Sequence, residues 1–384
     1  MRVVMFSSDR SVFAPGSPVR DRLLAQAACM DELHVIVFAA RSGKFLAERL
    51  APHVWIHPTA SFGKAFLLPD AIRLAQVLTT SHAGEWLATA QDPFACGIAA
   101  FFFARGKGIP LHLQLHTDPW AIGWRKAHPM NAVRLAVASA LLLRADGVRV
   151  VSERARRGVL ALGVPREKVT KVPIPVDISA YTNREPGFDL RRSYPYADQI
   201  VLSLGRLEKE KNMRLLLRAF VRVRSSHSSA ELLIVGSGSE HDALVSVATR
   251  MGIAGAVHFI PWARDTLSYY KGADVYVQSS DYEGWGLAVI EAAASGTPVV
   301  MTDVGCAGEV IRDGETGLVV PIGDEEQLAE AIVRVLDDKE LASRISRNAQ
   351  AAVEAFATPA EAMKLYEASY IRAYTARHDK AKKR

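Results

Sequence analysis

The chain has 384 residues, 49% hydrophobic and 23% charged, which excludes a disordered or fibrous protein and suggests two domains, each with its own apolar core. Net charge is +6 but unevenly placed: residues 1–177 hold 22 Lys and Arg against 13 Asp and Glu, and the remainder holds 25 against 28. Three scattered cysteines (Cys29, Cys96, Cys306) argue against a disulfide framework or a cysteine zinc site, and no apolar run reaches the roughly 20 residues of a membrane span.

The first six residues are too short an apolar stretch for a secretory signal, so a soluble, cytoplasmic protein is expected. A basic front half has two readings, an anionic partner or a solvated basic face. Short apolar or β-branched runs at 3–6, 34–38, 54–57, 86–90, 111–116 and 147–151 read as strands. Helical patterns at 18–30, 64–79, 94–105 and 130–144 lie between and after them, the third started by Pro93 and stopped by Gly106 and Gly108. Residues 179–198 hold Pro186, Gly187 and Pro195 without periodicity and read as a linker between a domain at 1–178 and one at 199–357.

The rhythm then resumes. Strands are expected at 200–204, 231–235, 257–260, 274–278 and 298–302, and helices at 212–223, 242–251, 266–271, 287–295, 324–336 and 340–356. A helical tail, 358–384, ends in the basic stretch from Lys380 to Arg384. Alternation of this kind predicts an α/β fold of two doubly wound parallel sheets, with ligands at the carboxyl ends of the strands in a cleft between them.

The segment 281–300, DYEGWGLAVIEAAASGTPVV, reads strand end, glycine loop, helix. Gly284 and Gly286 let backbone approach a ligand, and the amides of Trp285, Gly286 and Leu287 at a helix start suit an anion. Glu283 lies in the loop. Glu291 lies on an otherwise apolar helix and needs a partner, because an unpaired buried charge is costly; ribose hydroxyls and an arginine both qualify. Arg206 and Lys211, five residues apart after a strand ending at Gly205, suit a diphosphate, or belong to an exposed mixed-charge turn.

Gly236-Ser237-Gly238 opens like a dinucleotide fingerprint, but His241 replaces the third glycine, which favours a plain tight turn. His116 ends a strand on which His112 and Gln114 share its face, so at least one of these is expected to be a satisfied core residue. The turn-rich stretch 13–18 lies on the same rim. No GxxxxGK[ST], HExxH, GxSxG or Asp-x-Asp occurs, so metal-dependent hydrolysis and serine hydrolase chemistry find no support.

Glu283 and Glu291, seven residues apart, together with Gly205-Arg206 and Lys211, resemble the retaining glycosyltransferases of family 4, which have the GT-B fold. Residues 314–318 with Pro321, and 91–93, 116–118, 151–153 and 174–177, also match. The resemblance implies that Arg206 and Lys211 hold the donor diphosphate, Glu291 the ribose and Glu283 the sugar hydroxyls. Gly284, Trp285, Gly286 and Leu287 would supply backbone donors. His116 would lie near the reacting sugar, and the base near Gly236, Gly238, Pro261 and Trp262. Gly16, Ser17 and Asp118 fall on the acceptor side, although Pro15-Gly16-Ser17 replaces the usual glycine pair.

The tail helix would cross back to the first domain. The implied function is transfer of a hexosyl group from a UDP- or GDP-sugar to an acceptor hydroxyl, in cell-surface polysaccharide or glycolipid synthesis. A nucleoside-diphosphate sugar would be the co-substrate, with no metal or other cofactor required. The partners would be a glycan or lipid-linked acceptor and an anionic membrane surface at the inner face of the cytoplasmic membrane. Rival readings are a nicotinamide-dependent oxidoreductase and a non-enzymatic nucleotide-sugar-binding module. Scattered basic residues without aromatic interleaving argue against nucleic acid.

Overall fold

The structure, a computed structural model, describes residues 1–80, 86–356 and 358–382, the last five of these by backbone alone. The basic segment 380–384 therefore lies outside the described side chains. The chain divides into two compact units, one of residues 1–120, 128–173 and 360 onward, the other of residues 121–127 and 174–359.

The first unit is built on β1 (Arg2–Ser7), β2 (Glu32–Val37), β3 (Glu48–Ala51), β4 (Val54–Pro58), β5 (Trp86–Ala90), β6 (Leu111–Leu115), β7 (Gly147–Val150) and β8 (Val169–Lys171). They lie in the order β3-β4-β2-β1-β5-β6-β7-β8. All pairs are parallel except β3 on β4. Every residue of β5 is buried, as a central strand covered on both faces requires. Helices Leu67–Leu78, Ala95–Lys107 and Asn131–Arg144 pack one face through Ala71, Ala99, Phe103 and Leu142. Gly106 lies inside the second of these helices, and Gly108, at φ +70°, closes it alone.

On the other face lie helix Pro18–Ala27 and the final helix, Pro359–Lys382. Ala362, Tyr366, Tyr370 and Ala373 form one stripe of that last helix, and they share a core with Val3, Met5 and Leu33. The chain thus returns to its first unit, as expected.

The second unit has β9 (Gln199–Leu204), β10 (Ala230–Val235), β11 (Val257–Ile260), β12 (Val275–Gln278), β13 (Val299–Thr302) and β14 (Leu318–Val320), all parallel, in the order β11-β10-β9-β12-β13-β14. Counted from β9 this is the 3-2-1-4-5-6 order of a Rossmann sheet. Helices Met213–Ser226 and Glu325–Asp337 close one face around Leu216, Phe220 and Ile332.

The stretch expected as a linker is partly helical, at Ser179–Thr182 and Leu190–Ser193. It packs on helix Thr266–Gly272: the Phe188 amide donates to Ser268 at 3.2 Å, and Leu190 fills the space a side chain at Gly272 would need. Helix Ile122–Ala127, unforeseen in the sequence, also belongs to the second unit; a Cβ on Gly123 would lie 2.5 Å from the Asp281 carbonyl.

Candidate functional site

In the second sheet the strand order reverses between β9 and β12, the place where open α/β sheets bind ligands. After β9 a 3-10 turn, Lys209–Lys211, runs into Asn212, whose left-handed conformation (φ +45°) ends the turn. The Asn212 side chain caps helix Met213–Ser226 by accepting from the Leu215 amide at 3.3 Å. This arrangement sets the Lys211 ammonium on the Glu283 carboxylate of the β12 loop, both side chains mostly buried. Ser280 donates to the same carboxylate oxygen at 2.9 Å, and Asn212 donates to Asp281 at 2.7 Å. Arg206 is instead 70% exposed and pairs with Glu210 at 2.9 Å. Lys211 and Glu283 are therefore brought together, and Arg206 stands apart on the rim.

Among the described residues Glu291 meets no arginine. It sits on helix Leu287–Ala294 and accepts from the Tyr270 hydroxyl at 3.0 Å and from the Tyr181 hydroxyl. Burial raises its carboxyl above the usual carboxylate range, and the two tyrosines counter that only in part. Burial and the Glu291 charge together push Tyr181 up to about 12, so it stays a donor at neutral pH. A carboxylate held by two neutral hydroxyls, with no cation, is a group suited to accept from further hydroxyls. Tyr181 and Tyr270 lie 110 and 21 residues before Glu291, and no local spacing in the sequence announces them.

The loop between Glu283 and Leu287 is fixed from behind. The Trp285 carbonyl accepts from the Cys306 amide at 2.9 Å, and a Cβ on Gly305 would lie 2.5 Å from that carbonyl. The Trp285 ring is buried edge-on to Phe356, centroids 5.8 Å apart, so its side chain belongs to the core. Gly286 needs its left-handed backbone (φ +98°) to start the helix, whose first amides have no intrahelical acceptor. These amides, with Gly284, form the rim beside Glu283.

Gly236 and Gly238 have an internal explanation. Cβ atoms there would lie 1.9 Å from the Gly205 carbonyl and 2.3 Å from the Leu207 carbonyl. The turn after β10 packs backbone to backbone on the turn after β9, which accounts for the glycines without a dinucleotide. Ser239 joins the same turns by donating to Glu208 at 2.7 Å. Pro261 and Trp262 follow β11, with the Trp262 side chain 60% exposed.

In the first unit His112 and Gln114 are core residues, as one reading of that strand held. His112 bonds Thr89 and Ser369, each at 2.9 Å, and Gln114 donates to Thr89 and Tyr370. His116 is partly buried at the sheet rim, 3.2 Å from Arg149 through both ring nitrogens. Burial first, then the Arg149 and Arg22 charges, hold its imidazole well below the ordinary histidine range, hence neutral. Arg149 is fully buried on β7, donates to the Val172 carbonyl at 2.6 Å and lies 4.4 Å from the Tyr366 ring centre. Sequence reasoning missed it because a lone arginine in a short apolar run carries no motif.

Asp118 is buried and accepts from the Trp120 amide at 3.0 Å. Ser17 caps helix Pro18–Ala27, and Gly16, at φ +70°, forms the turn before it. Among the described residues no group of three His, Cys, Asp or Glu side chains is arranged to hold a metal ion.

Residues 22–180 match the family model for Glycosyltransferase Family 4, and residues 192–352 match that for Glycosyl transferases group 1. The chain belongs to the family 4 glycosyltransferases. The lipopolysaccharide core biosynthesis glycosyltransferase LpsE of Rhizobium meliloti is 37% identical over 147 residues, covering 38% of this chain and 42% of LpsE. A D-inositol 3-phosphate glycosyltransferase of Acidothermus cellulolyticus is 35% identical over 295 residues, 72% of this chain and 64% of that protein. The chain spans from about a third to nearly two thirds of the length of these and similar curated relatives. Among solved structures, Anabaena HepE in complex with UDP-glucose superimposes with a TM-score of 0.73 at 22% identity, over 95% of this chain and 98% of HepE. Family 4 membership and two parallel-sheet α/β domains agree in giving this chain the GT-B fold.

Proposed function

We propose that this chain is a glycosyltransferase that moves a hexosyl group from a UDP- or GDP-sugar to an acceptor hydroxyl with retention of configuration. The observation that carries the reading is the placement of Lys211 on Glu283 at the β9–β12 reversal, with Glu291 nearby on the same loop-helix unit and, among the described residues, bonded only to hydroxyls. The UDP-glucose bound in HepE and the name of the Acidothermus D-inositol 3-phosphate glycosyltransferase support a nucleotide-sugar donor and a hydroxyl acceptor. The LpsE likeness supports a place in polysaccharide or glycolipid synthesis.

In this reading the residues divide the work by charge. As the bond to the donor sugar breaks, negative charge grows on the departing diphosphate. The Lys211 ammonium, the Arg206 guanidinium and the first amides of helix Leu287–Ala294 offset it, worth several kcal/mol in a preorganised site. Glu283, held by Ser280, accepts from sugar hydroxyls, and Glu291 accepts from the ribose. The base lies against the turn of Gly236 and Gly238 and beside Pro261 and Trp262. Retention follows from attack by the acceptor hydroxyl on the face the diphosphate leaves, its proton passing to a departing phosphate oxygen. His116, neutral, is assigned to the reacting sugar as a hydrogen-bond partner, and Gly16, Ser17 and Asp118 to the acceptor.

Residues 1–178 are assigned to the acceptor, 199–357 to the donor, and 358–384 to the returning helix. The nucleotide sugar is the co-substrate and no metal is required, so turnover should survive EDTA. The proposed location is the cytoplasm, peripheral to the inner face of its membrane. Proton NMR of the first-formed product tests the mechanism: retention of the donor's anomeric configuration is expected, and inversion would overturn it.

A further inference from the structure

An arginine inside a short buried strand is costly, because a guanidinium taken out of water must be held by other polar groups. Arg149 lies on β7, whose four residues are all buried, in register with Gln114 of β6. All three of its nitrogens are engaged. Nε and Nη2 donate to the Val172 carbonyl at 3.0 and 2.6 Å, and Nη1 donates to Gln114 Oε1 at 3.4 Å. The Gln114 amide is itself fixed, since its Nε2 donates to the Thr89 and Tyr370 hydroxyls at 3.3 Å each. The Tyr366 ring of the last helix lies against the guanidinium, 4.4 Å away. Among the described residues no carboxylate pairs with Arg149.

One partner leads out of this core. Nη1 lies 3.2 Å from both ring nitrogens of His116, which is only partly buried at the end of β6. A guanidinium can only donate, so the ring nitrogen that it bonds carries a lone pair; the single N–H of a neutral imidazole then sits on the other nitrogen. The second charge acting on the ring is also a cation, Arg22 of helix Pro18–Ala27. On the other elements, His112 of β6 and Tyr366 and Tyr370 of the last helix are kept neutral by burial, and Asp118, two residues on, accepts from the Trp120 amide.

We propose that Arg149 is a positioning residue for the transfer: anchored on Val172, Gln114 and Tyr366, it occupies the lone pair of His116 and fixes that ring as a neutral hydrogen-bond donor, which cannot serve as the base for the acceptor hydroxyl. The proposal rests on the glycosyltransferase reading for the substrate that receives the bond. It agrees with passage of the acceptor proton to a departing phosphate oxygen, since the one nitrogen that could take it is engaged. The last helix, through Tyr366, thereby supports a group at the rim of the sheet.

The test joins NMR of the histidine rings to rates of nucleotide release from UDP-glucose and GDP-mannose at saturation, on the full chain, with water as the acceptor. His116→Asn assigns the resonance. In the parent the His116 ring should not titrate across the range of an ordinary histidine, about 5 to 8. Arg149→Met should raise its titration toward about 6.5 and add an acid limb to kcat. Arg149→Lys, which keeps the charge, should add none. His116→Phe should lower kcat by about a hundredfold, and His116→Asn, which keeps a neutral N–H, should recover at least about tenfold of that loss. A parent ring that titrates near 6.5, an Arg149→Met profile identical to the parent's, or His116→Asn as slow as His116→Phe would overturn the proposal. If Arg149→Met fails to fold, the parent titration and the two His116 variants still decide it. A parent ring that stays neutral, without release from any nucleotide sugar, would overturn the glycosyltransferase reading and leave the hold of Arg149 on His116 standing. Release by a parent whose His116 titrates normally would do the reverse.

Discussion

Lys211 and Glu283 form an ion pair across the carboxyl ends of β9 and β12, and Ser280 donates to the same carboxylate oxygen. The pair fixes an ammonium where an open α/β sheet receives phosphate, so the cation need not be ordered when charge develops. Arg206, exposed on the rim, lacks that constraint. Replacing both, Arg206→Ala with Lys211→Ala, should lower turnover at saturating donor by at least roughly a hundredfold. Lys211→Ala alone should account for the larger share. Steady-state rates of the two single variants and the double variant check this.

Glu291→Ala should weaken nucleotide-sugar binding by about 1.5–3 kcal/mol, the range for a lost charge-assisted hydrogen bond. Titration calorimetry reads this directly. Unchanged affinity would remove Glu291 from the ribose role and leave it as a partner of Tyr181 and Tyr270.

The same carboxyl gives a pH dependence with a definite sign. Burial raises its pKa, and only the ionised form accepts strongly from hydroxyls. Affinity should therefore hold at neutral pH and fall as acid protonates Glu291, beginning at higher pH than for an exposed glutamate. Glu291→Gln should flatten that limb. A nucleotide sugar is the right probe, because its diphosphate diester does not titrate over this range.

How much of this was legible follows from how local each signal is. β5 and β11 were read to the residue, because Trp86–Ala90 and Val257–Ile260 are compact apolar runs between turn signals. β3, with the sequence ERLA on an exposed edge, and β14, three residues long, gave no period to read. Helix Glu153–Ala161 was missed because its polar face and Gly158 dilute the apolar stripe. Lys211, Glu283 and Glu291 stood out through strand-end and helix-start spacing. Their partners Ser280, Tyr270 and Tyr181 owe their roles to geometry that only the folded chain creates, as does Asn212, which holds the neighbouring Asp281. The glycines at 236 and 238 show the converse: their pattern suggested a ligand, while the fold uses them for its own backbone contact.

Gly236→Ala should accordingly destabilise the second unit by about 3 kcal/mol or more, combining a left-handed strain with a Cβ placed 1.9 Å from the Gly205 carbonyl. Thermal melting detects it. A variant as stable as the parent would mean that the two turns separate freely.

Acid should act first on the first unit. Burial, and then the Arg149 charge, push His112 down to about 3, against 6.5 for an ordinary histidine. A base depressed in this way stabilises the fold fully above pH 6.5, and the contribution is lost as pH falls from there toward 3. His112→Gln should reduce the stability lost across that window by an amount on the order of a few kcal/mol, read as a flatter melting temperature against pH. Hydrogen exchange should locate the acid-induced opening at β5, β6 and the final helix.

The central claim is that the second unit binds a nucleoside-diphosphate sugar through Lys211, Glu283 and Glu291. The most direct measurement is nucleotide release from a panel of UDP-, GDP- and ADP-sugars, with thermal shift on the same samples and no acceptor added. Stabilisation and slow release with a UDP- or GDP-sugar, both lost in Glu291→Ala and in Lys211→Ala, are the predicted result. A folded protein that responds to no donor, or responds equally after those substitutions, would contradict it.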